Sequence, residues 1–229
     1  MRLVPLRESL PLGVEVLRLD LDLAAELADS LVHLTPGERG RAVRFLRPAD
    51  RLRFAQTRAA TRRLLGRRLG CCPADVPLAE GAHGKPFVDE DPRCAPVFNV
   101  SHSGRHALIA LAEPGGVLHL GVDIEQHRCD LDTEAMLKAV CTEQECASVR
   151  SAPDRLAAFY QRWVGKEAVL KAIGIGVAEH LRSIGISPHA DGRLGIASAV
   201  AEWSGYQAMA LPAPPGYAAA LAWRTKESI

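Results

Sequence analysis

No uncharged apolar run in this chain reaches the roughly 18 residues that a membrane-spanning helix needs. The opening MRLVPLRESLPLGVEV lacks the long apolar core of a secretory signal, so the expected address is cytoplasmic. The six cysteines, Cys71, Cys72, Cys94, Cys129, Cys141 and Cys146, contain no CxxC pair. Without paired spacing they read as reduced thiols, not as a disulfide frame or a zinc site, and His127 with Cys129 reads as an incidental loop pair. A G-x-S-x-G elbow is missing too. Ser101 beside His102 therefore does not by itself signal nucleophilic catalysis.

Acids are nearly absent from one block. Between residues 39 and 70 eleven arginines (Arg39, Arg41, Arg44, Arg47, Arg51, Arg53, Arg58, Arg62, Arg63, Arg67 and Arg68) stand against Asp50 alone, a local charge of +10. The whole 229-residue chain carries only +1, so the remainder carries −9. Such a block fits a polyanion or a multiply phosphorylated ligand, or else a solvated, arginine-rich helix. Nucleic acid is disfavoured, because only Phe45 and Phe54 are there to stack on bases and no nucleic-acid motif is present. With 48% hydrophobic residues the chain can build a core for one large domain or two small ones.

What the sequence does have is a duplication. LGVEV at 12–16 is echoed by LGVDI at 120–124, an offset of 108. Thr35-Pro-Gly-Glu38, a capping-box pattern, returns as Thr142-Glu-Gln-Glu145 at offset 107. ADRLRFAQTRAATRRLL (49–65) aligns with PDRLAAFYQRWVGKEAVL (153–170), setting Asp50 over Asp154, Arg58 over Arg162 and Arg62 over Lys166 at offset 104. The ordered echoes predict two pseudo-equivalent halves, each a strand, a capped helix, a longer helix and further strands. VFNVS, HALIALA and VLHLGVDIE read as strands, YQAMALPA and YAAALAWR as a hairpin about Pro214-Pro-Gly216, and 180–194 as loop. The expected fold class is α+β, with mostly antiparallel sheets each packed with a long helix. The expected division is residues 1–116 and 117–229.

The chemistry gathers in short motifs. In GVDIEQ (121–126), Asp123 and Glu125 share one strand face about 7 Å apart, with Ile124 on the other face. A solvated edge or a metal site would both explain that pair. In RWVGKEAVLKAIGIG, Glu167 and Lys171 lie four residues apart on one helix face, with Trp163 a turn earlier and Lys166 to the side. FNVSHSGRH ends a strand in Asn99, Ser101 and His102 and turns at Ser103-Gly104, and GAHGKPFV supplies the tight turn Gly84-Lys85-Pro86. Arg51, Arg58 and Arg62 form a helical stripe that could face ligand, partner or solvent.

In this order, GKP, FNVSH, GVDIE and WVGKEAVLK followed by GIG resemble the motif series of the 4′-phosphopantetheinyl transferases of the Sfp-like kind. The resemblance spans residues 81 to 176 and extends more loosely to Thr35. Length and duplication are similar to the monomeric, two-half class, not the half-length trimeric holo-acyl-carrier-protein synthases. The Trp163, Lys166-Glu167-Ala168 pattern resembles the subgroup associated with secondary-metabolite synthases, polyketide and nonribosomal peptide.

The resemblance implies a reaction: a serine of an apo acyl or peptidyl carrier protein attacks coenzyme A, takes its 4′-phosphopantetheine and releases adenosine 3′,5′-bisphosphate. It implies Asp123, Glu125 and Glu167 as ligands of Mg²⁺ (or Mn²⁺), with Glu167 as base and Glu125 second. Lys171 and Lys166 would neutralise phosphoryl charge, His102 would hydrogen-bond a phosphate with Ser101 alongside, and Gly84, Lys85 and Pro86 would hold the adenine end. Arg41 matches the position that contacts the 3′-phosphate, with Arg53 as neighbour. A lysine common three residues before Arg41 is Glu38 here, which the capping box occupies, leaving Arg39 or Arg44 to substitute. The rival readings are a metal-dependent phosphoester hydrolase, and a non-catalytic carrier-binding module that would have lost Asp123, Glu125, Glu167 or Lys171. All four are present.

Overall fold

A computed structural model describes residues 2–6, 10, 13–130 and 132–225; Leu12, the first residue of the LGVEV echo, lies outside them. The chain runs β1 (Arg2–Pro5), β2 (Val14–Asp20), α1 (Leu27–Leu31), α2 (Pro36–Arg44), α3 (Pro48–Leu69), β3 (Leu78–Glu80), β4 (Pro86–Val88), β5 (Val97–Ser103) and β6 (His106–Ala112). It continues with β7 (Val117–Gln126), α4 (Thr133–Val140), α5 (Glu143–Ser151), α6 (Arg155–Ile173), α7 (Val177–His180), β8 (Ile184–Pro188), β9 (Arg193–Ser198), β10 (Gln207–Ala210) and β11 (Tyr217–Thr225).

The duplication is visible in the topology. One sheet has the order β1-β2-β6-β5, the other β7-β11-β10-β9-β8, and every pairing is antiparallel. Set β2 on β7, β6 on β11 and β5 on β10, and the hairpin β3-β4 falls where β9-β8 extends the second sheet. Both capping boxes form: Thr35 accepts from Glu38 N–H while Glu38 accepts from Thr35 N–H, and Thr142 with Glu145 does the same. The long helices α3 and α6 end at Gly70 (φ 67°) and Gly174 (φ 89°), left-handed positions that a Cβ would disfavour.

Segment 180–194 is a correction. It was expected as loop from its Gly, Ser, His and Pro, yet Ile184 and Ile186 are buried at alternate positions and place β8 against α6. Period-two burial outweighed the composition. The turn at His189–Gly192, closed by His189 N–H to the Arg193 carbonyl at 2.9 Å, then returns the chain as β9.

Each sheet buries one face under its long helix: Leu17, Leu19, Ile109 and Leu111 under Leu64 and Leu65 of α3, and Ala208, Ala220 and Ala222 under Val164, Ala168 and Val169 of α6. The remaining faces meet each other, with Val16, Leu108 and Ala110 against Leu120, Val122, Ile124 and Leu221. β7 thus turns Leu120, Val122 and Ile124 toward the other sheet, and Gly121, Asp123 and Glu125 toward α6. Gly121 makes the approach of α6 feasible, because a Cβ there would stand 2.0 Å from the Ala168 carbonyl oxygen and 2.4 Å from Ala172 N. Gly121→Ala is expected to push α6 off the sheet and cost about 2 kcal/mol or more in a denaturant melt. Lys85 ties the halves together, its Nζ donating to the carbonyls of Leu120 (3.0 Å), Lys171 (2.6 Å) and Ala172 (3.3 Å).

No helix among the described residues is long and apolar enough to cross a membrane. The six cysteines are free thiols, and burial first, then the Glu145 charge, pushes Cys141 up to about 12.

Candidate active site

Close contact between β7 and α6 decides where the acids go. Asp123, fully buried, and Glu125 leave β7 on the face that α6 covers, and Glu167 leaves α6. Each offers an oxygen within 4.8 Å of the others, so the reading of Asp123 and Glu125 as a solvated edge does not hold. Lys171, one turn beyond Glu167, bridges them at 2.5 Å from Asp123 Oδ1 and 3.3 Å from Glu167 Oε2. Neighbouring β5 supplies hydroxyls: Ser101 Oγ donates to Asp123 Oδ1 at 2.7 Å, and Ser103 Oγ to Glu125 Oε2 at 2.8 Å. The Trp163 indole N–H donates to Glu167 Oε1. Asp123 Oδ2 is buried with no hydrogen-bond partner among the described residues.

Three carboxylates against one ammonium leave excess negative charge in a dry place. Burial, then the Asp123 charge, pushes Glu125 up to about 7, and the same two causes raise Glu167. Burial opposes the charge on Lys171, but Asp123 and Glu167 more than compensate and raise it. A carboxyl whose folded pKa is raised stabilises the fold below its unfolded value, about 4.5, and that contribution is lost as pH rises through about 7. With divalent cations removed, the melting temperature is therefore expected to fall between pH 5 and 8, and Glu125→Gln to flatten the slope. A slope of the opposite sign would contradict the repulsion.

Beside the trio, and sharing Lys171 with it, lies a cavity of about 300 Å³ between the halves. Arg41, Phe54 and Arg58 form one wall, His83 to Pro86 another, and Asn99 and His102 of β5 the floor, closed by Gly174 to Val177 after α6. Burial first, opposed by a hydrogen bond to its own backbone and reinforced by the Lys171 and Arg53 charges, lowers His102, which favours the neutral ring. Lys85 is lowered to about 8 by burial.

Of the residues singled out in the sequence, Arg41, Gly84, Lys85, Pro86, His102 and Lys171 line this cavity, and Asp123, Glu125 and Glu167 gather next to it. Others go elsewhere. Lys166 is fully buried on the far side of α6, paired with Glu145 at 2.7 Å and bonded to the Leu181 carbonyl at 2.9 Å, so it cannot neutralise phosphoryl charge. Arg53 donates to the Gly104 carbonyl at 2.7 Å and pairs with Asp50, fixing the β5-β6 turn and leaving the cavity wall to others. Ser101 sits behind the trio, bonded to Asp123. The Lys85 ammonium is spent on main-chain carbonyls, so only its stem reaches the cavity. Arg39 turns to the Leu34 carbonyl at 3.0 Å, and the arginine that joins Arg41 in this cavity is Arg58, while Arg44 lines the adjoining pocket with both. The stripe of Arg51, Arg58 and Arg62 gave no direction in the sequence; Arg51 bonds the Phe45 carbonyl and Arg62 pairs with Glu38, leaving Arg58 to the cavity. Ser103 and Phe54 were missed, the first being legible as a hydroxyl two residues beyond Ser101.

The three carboxylates offer oxygen donors of the kind hard divalent cations accept, and Lys171 joins them to a cavity lined by Arg41 and Arg58. Comparison with known proteins names the family. The family model for the 4′-phosphopantetheinyl transferase superfamily matches residues 119–222, and that for 4′-phosphopantetheinyl transferase, N-terminal, matches residues 23–114. The chain is 35% identical to 4′-phosphopantetheinyl transferase HetI of Nostoc, over 72% of this chain and 70% of that protein. It is 36% identical to the putative 4′-phosphopantetheinyl transferase slr0495 of Synechocystis, over 66% of this chain and 61% of that protein's length. Identity to 4′-phosphopantetheinyl transferase Sfp of Bacillus subtilis is 26%, over 71% and 70%. A solved holo-(acyl-carrier-protein) synthase from Bacillus anthracis superposes at TM-score 0.41 and 16% identity, over 48% of this chain and 98% of that one. The chain belongs to the 4′-phosphopantetheinyl transferase superfamily.

Proposed function

We propose that the protein transfers the 4′-phosphopantetheine group of coenzyme A to a serine of an apo acyl or peptidyl carrier protein, releasing adenosine 3′,5′-bisphosphate. The observation that carries this reading is the largely buried trio of Asp123, Glu125 and Glu167, with an Asp123 oxygen unpartnered among the described residues, sharing Lys171 with a cavity lined by Arg41, Arg58 and His102. Oxygen donors and excess negative charge fit Mg²⁺ or Mn²⁺, which Asp123, Glu125 and Glu167 would hold. Once bound, the cation would offset their repulsion and polarise the diphosphate of the coenzyme.

The chain's own groups divide the remaining work. Lys171 neutralises charge developing on phosphoryl oxygens, and the neutral His102 ring hydrogen-bonds a phosphate. Arg41 and Arg58 take the 3′-phosphate, and the Gly84-Lys85-Pro86 turn walls the adenine end. Residues 1–116 thus supply the nucleotide side and 117–229 the acids and the catalytic helix, all from one chain, so a monomer suffices. The carrier serine, a weak nucleophile at neutral pH, gives its proton to Glu167. A specific observation favours Glu125 as a second reading: it is pushed up to about 7, while both Glu167 oxygens are engaged by Trp163 and Lys171.

Incubation with coenzyme A, Mg²⁺ and a panel of apo carriers, polyketide, nonribosomal peptide and fatty-acid, is expected to yield a heavier carrier by mass spectrometry. Consumed coenzyme with unmodified carriers would support a hydrolase, and carrier binding without any mass gain a non-catalytic module.

A further inference from the structure

One ion pair, made by Arg41 of the cavity wall with an acid of the adjoining pocket, has no part in this scheme. Arg41 and Arg58 both stand over Phe54, their guanidinium carbons 5.3 and 5.7 Å from the ring centre. The two lysines of the cavity are committed, Lys85 to main-chain carbonyls and Lys171 to Asp123 and Glu167. Arg41 instead donates to Glu80 Oε1 at 2.6 Å, an oxygen that also lies 3.9 Å from Arg58 Nη2. Arg58 has a second acid, Glu38 at 3.5 Å, but Glu38 is anchored by the Thr35 cap and by Arg62. Glu80 has no comparable anchor among the described residues: it ends β3, opposite Pro86, with a side chain 46% exposed.

The geometry points to Glu80 as an internal competitor for the ligand's 3′-phosphate at Arg41 and Arg58, an inference that rests on the coenzyme A reading. A phosphate offers more charge and more oxygens to a guanidinium fork than a half-exposed carboxylate does, so the ligand displaces Glu80. Its net gain is only the difference between the two pairings. A ligand that lacks this phosphate leaves Glu80 in place and gains nothing from Arg41. The bisphosphate product retains the phosphate after transfer, and it meets a carboxylate positioned to reclaim the arginines. Glu80 thereby limits how tightly the product is held, and product release sets the turnover rate of many enzymes.

Calorimetry with coenzyme A, adenosine 3′,5′-bisphosphate and 3′-dephospho-coenzyme A tests this on the wild type and Glu80→Gln. Glu80→Gln is expected to tighten binding of the first two by roughly three- to tenfold and to leave the third within about twofold. Weaker binding of the two phosphate-bearing ligands would show that Glu80 orients the arginines, and an equal change for all three would show a general effect. Either result overturns the inference while leaving the coenzyme reading intact. Failure of the wild type to bind any of the three ligands overturns the coenzyme reading, and the competitor role falls with it.

Discussion

Glu167→Gln is expected to lower transfer, measured as kcat/KM for coenzyme A, by about 10³-fold or more, roughly 4 kcal/mol of transition-state stabilisation. The substitution is nearly isosteric. Its amide oxygen can still accept from the Trp163 indole, and Lys171 keeps Asp123 as a partner at 2.5 Å. Folding should therefore survive. It should even improve in cation-free buffer, because the raised Glu167 carboxyl marks a charge that its surroundings resist. The same change removes one of three candidate cation ligands and the first-choice base. Thermal stabilisation by Mg²⁺, expected for the wild type because a ligand of the folded state alone raises its stability, should shrink or vanish with the activity. Full activity in this variant would remove Glu167 from both roles. Activity lost while the Mg²⁺ response stays at wild-type size would keep it as base and discard it as ligand.

Much of this arrangement was legible in the sequence because its chemistry depends on short-range periodicity. Alternation along a strand put Asp123 and Glu125 on one face, and a four-residue helical step put Glu167 beside Lys171. The two capping boxes and the repeated helix revealed the duplication, and each helix runs to a left-handed glycine, Gly70 and Gly174, at the offset of 104 that the repeat requires. What was not legible turned on direction. Lys166 and Glu167 are adjacent in the motif, yet one residue turns the helix by about 100°, enough to send one side chain into the core and the other into the site. The arginine stripe had the same ambiguity, resolved only when Glu38 and the carbonyls of Pro73, Ala74 and Val76 claimed Arg62. Lys85 went to carbonyls of two segments, 35 and 86 residues away, contacts that no local pattern encodes.

Lys166→Ala is expected to destabilise the fold by about 3–5 kcal/mol and to leave coenzyme A affinity within about twofold in whatever remains folded. The argument rests on a device built twice. In the second half, Glu145 closes the α5 capping box, accepts from Ile186 N–H at 2.7 Å and pairs with Lys166 at 2.7 Å, and Lys166 donates to the carbonyls of Leu181 and Ile184. In the first half, Glu38 closes the α2 box and pairs with Arg62 at 2.7 Å, and Arg62 donates to the carbonyls of Pro73, Ala74 and Val76. In both, a cation from the long helix joins the start of the short helix to the chain that follows the long one. Removing that cation strands a buried carboxylate and leaves main-chain acceptors unpaired, which costs far more than the pair's net contribution. Lys166→Met combined with Glu145→Gln should therefore recover part of the loss, since it removes both charges together. Arg62→Ala should fail in the same manner through the other half. A Lys166→Ala protein with wild-type melting and lost transfer would return this lysine to the active site and break the equivalence of the two halves.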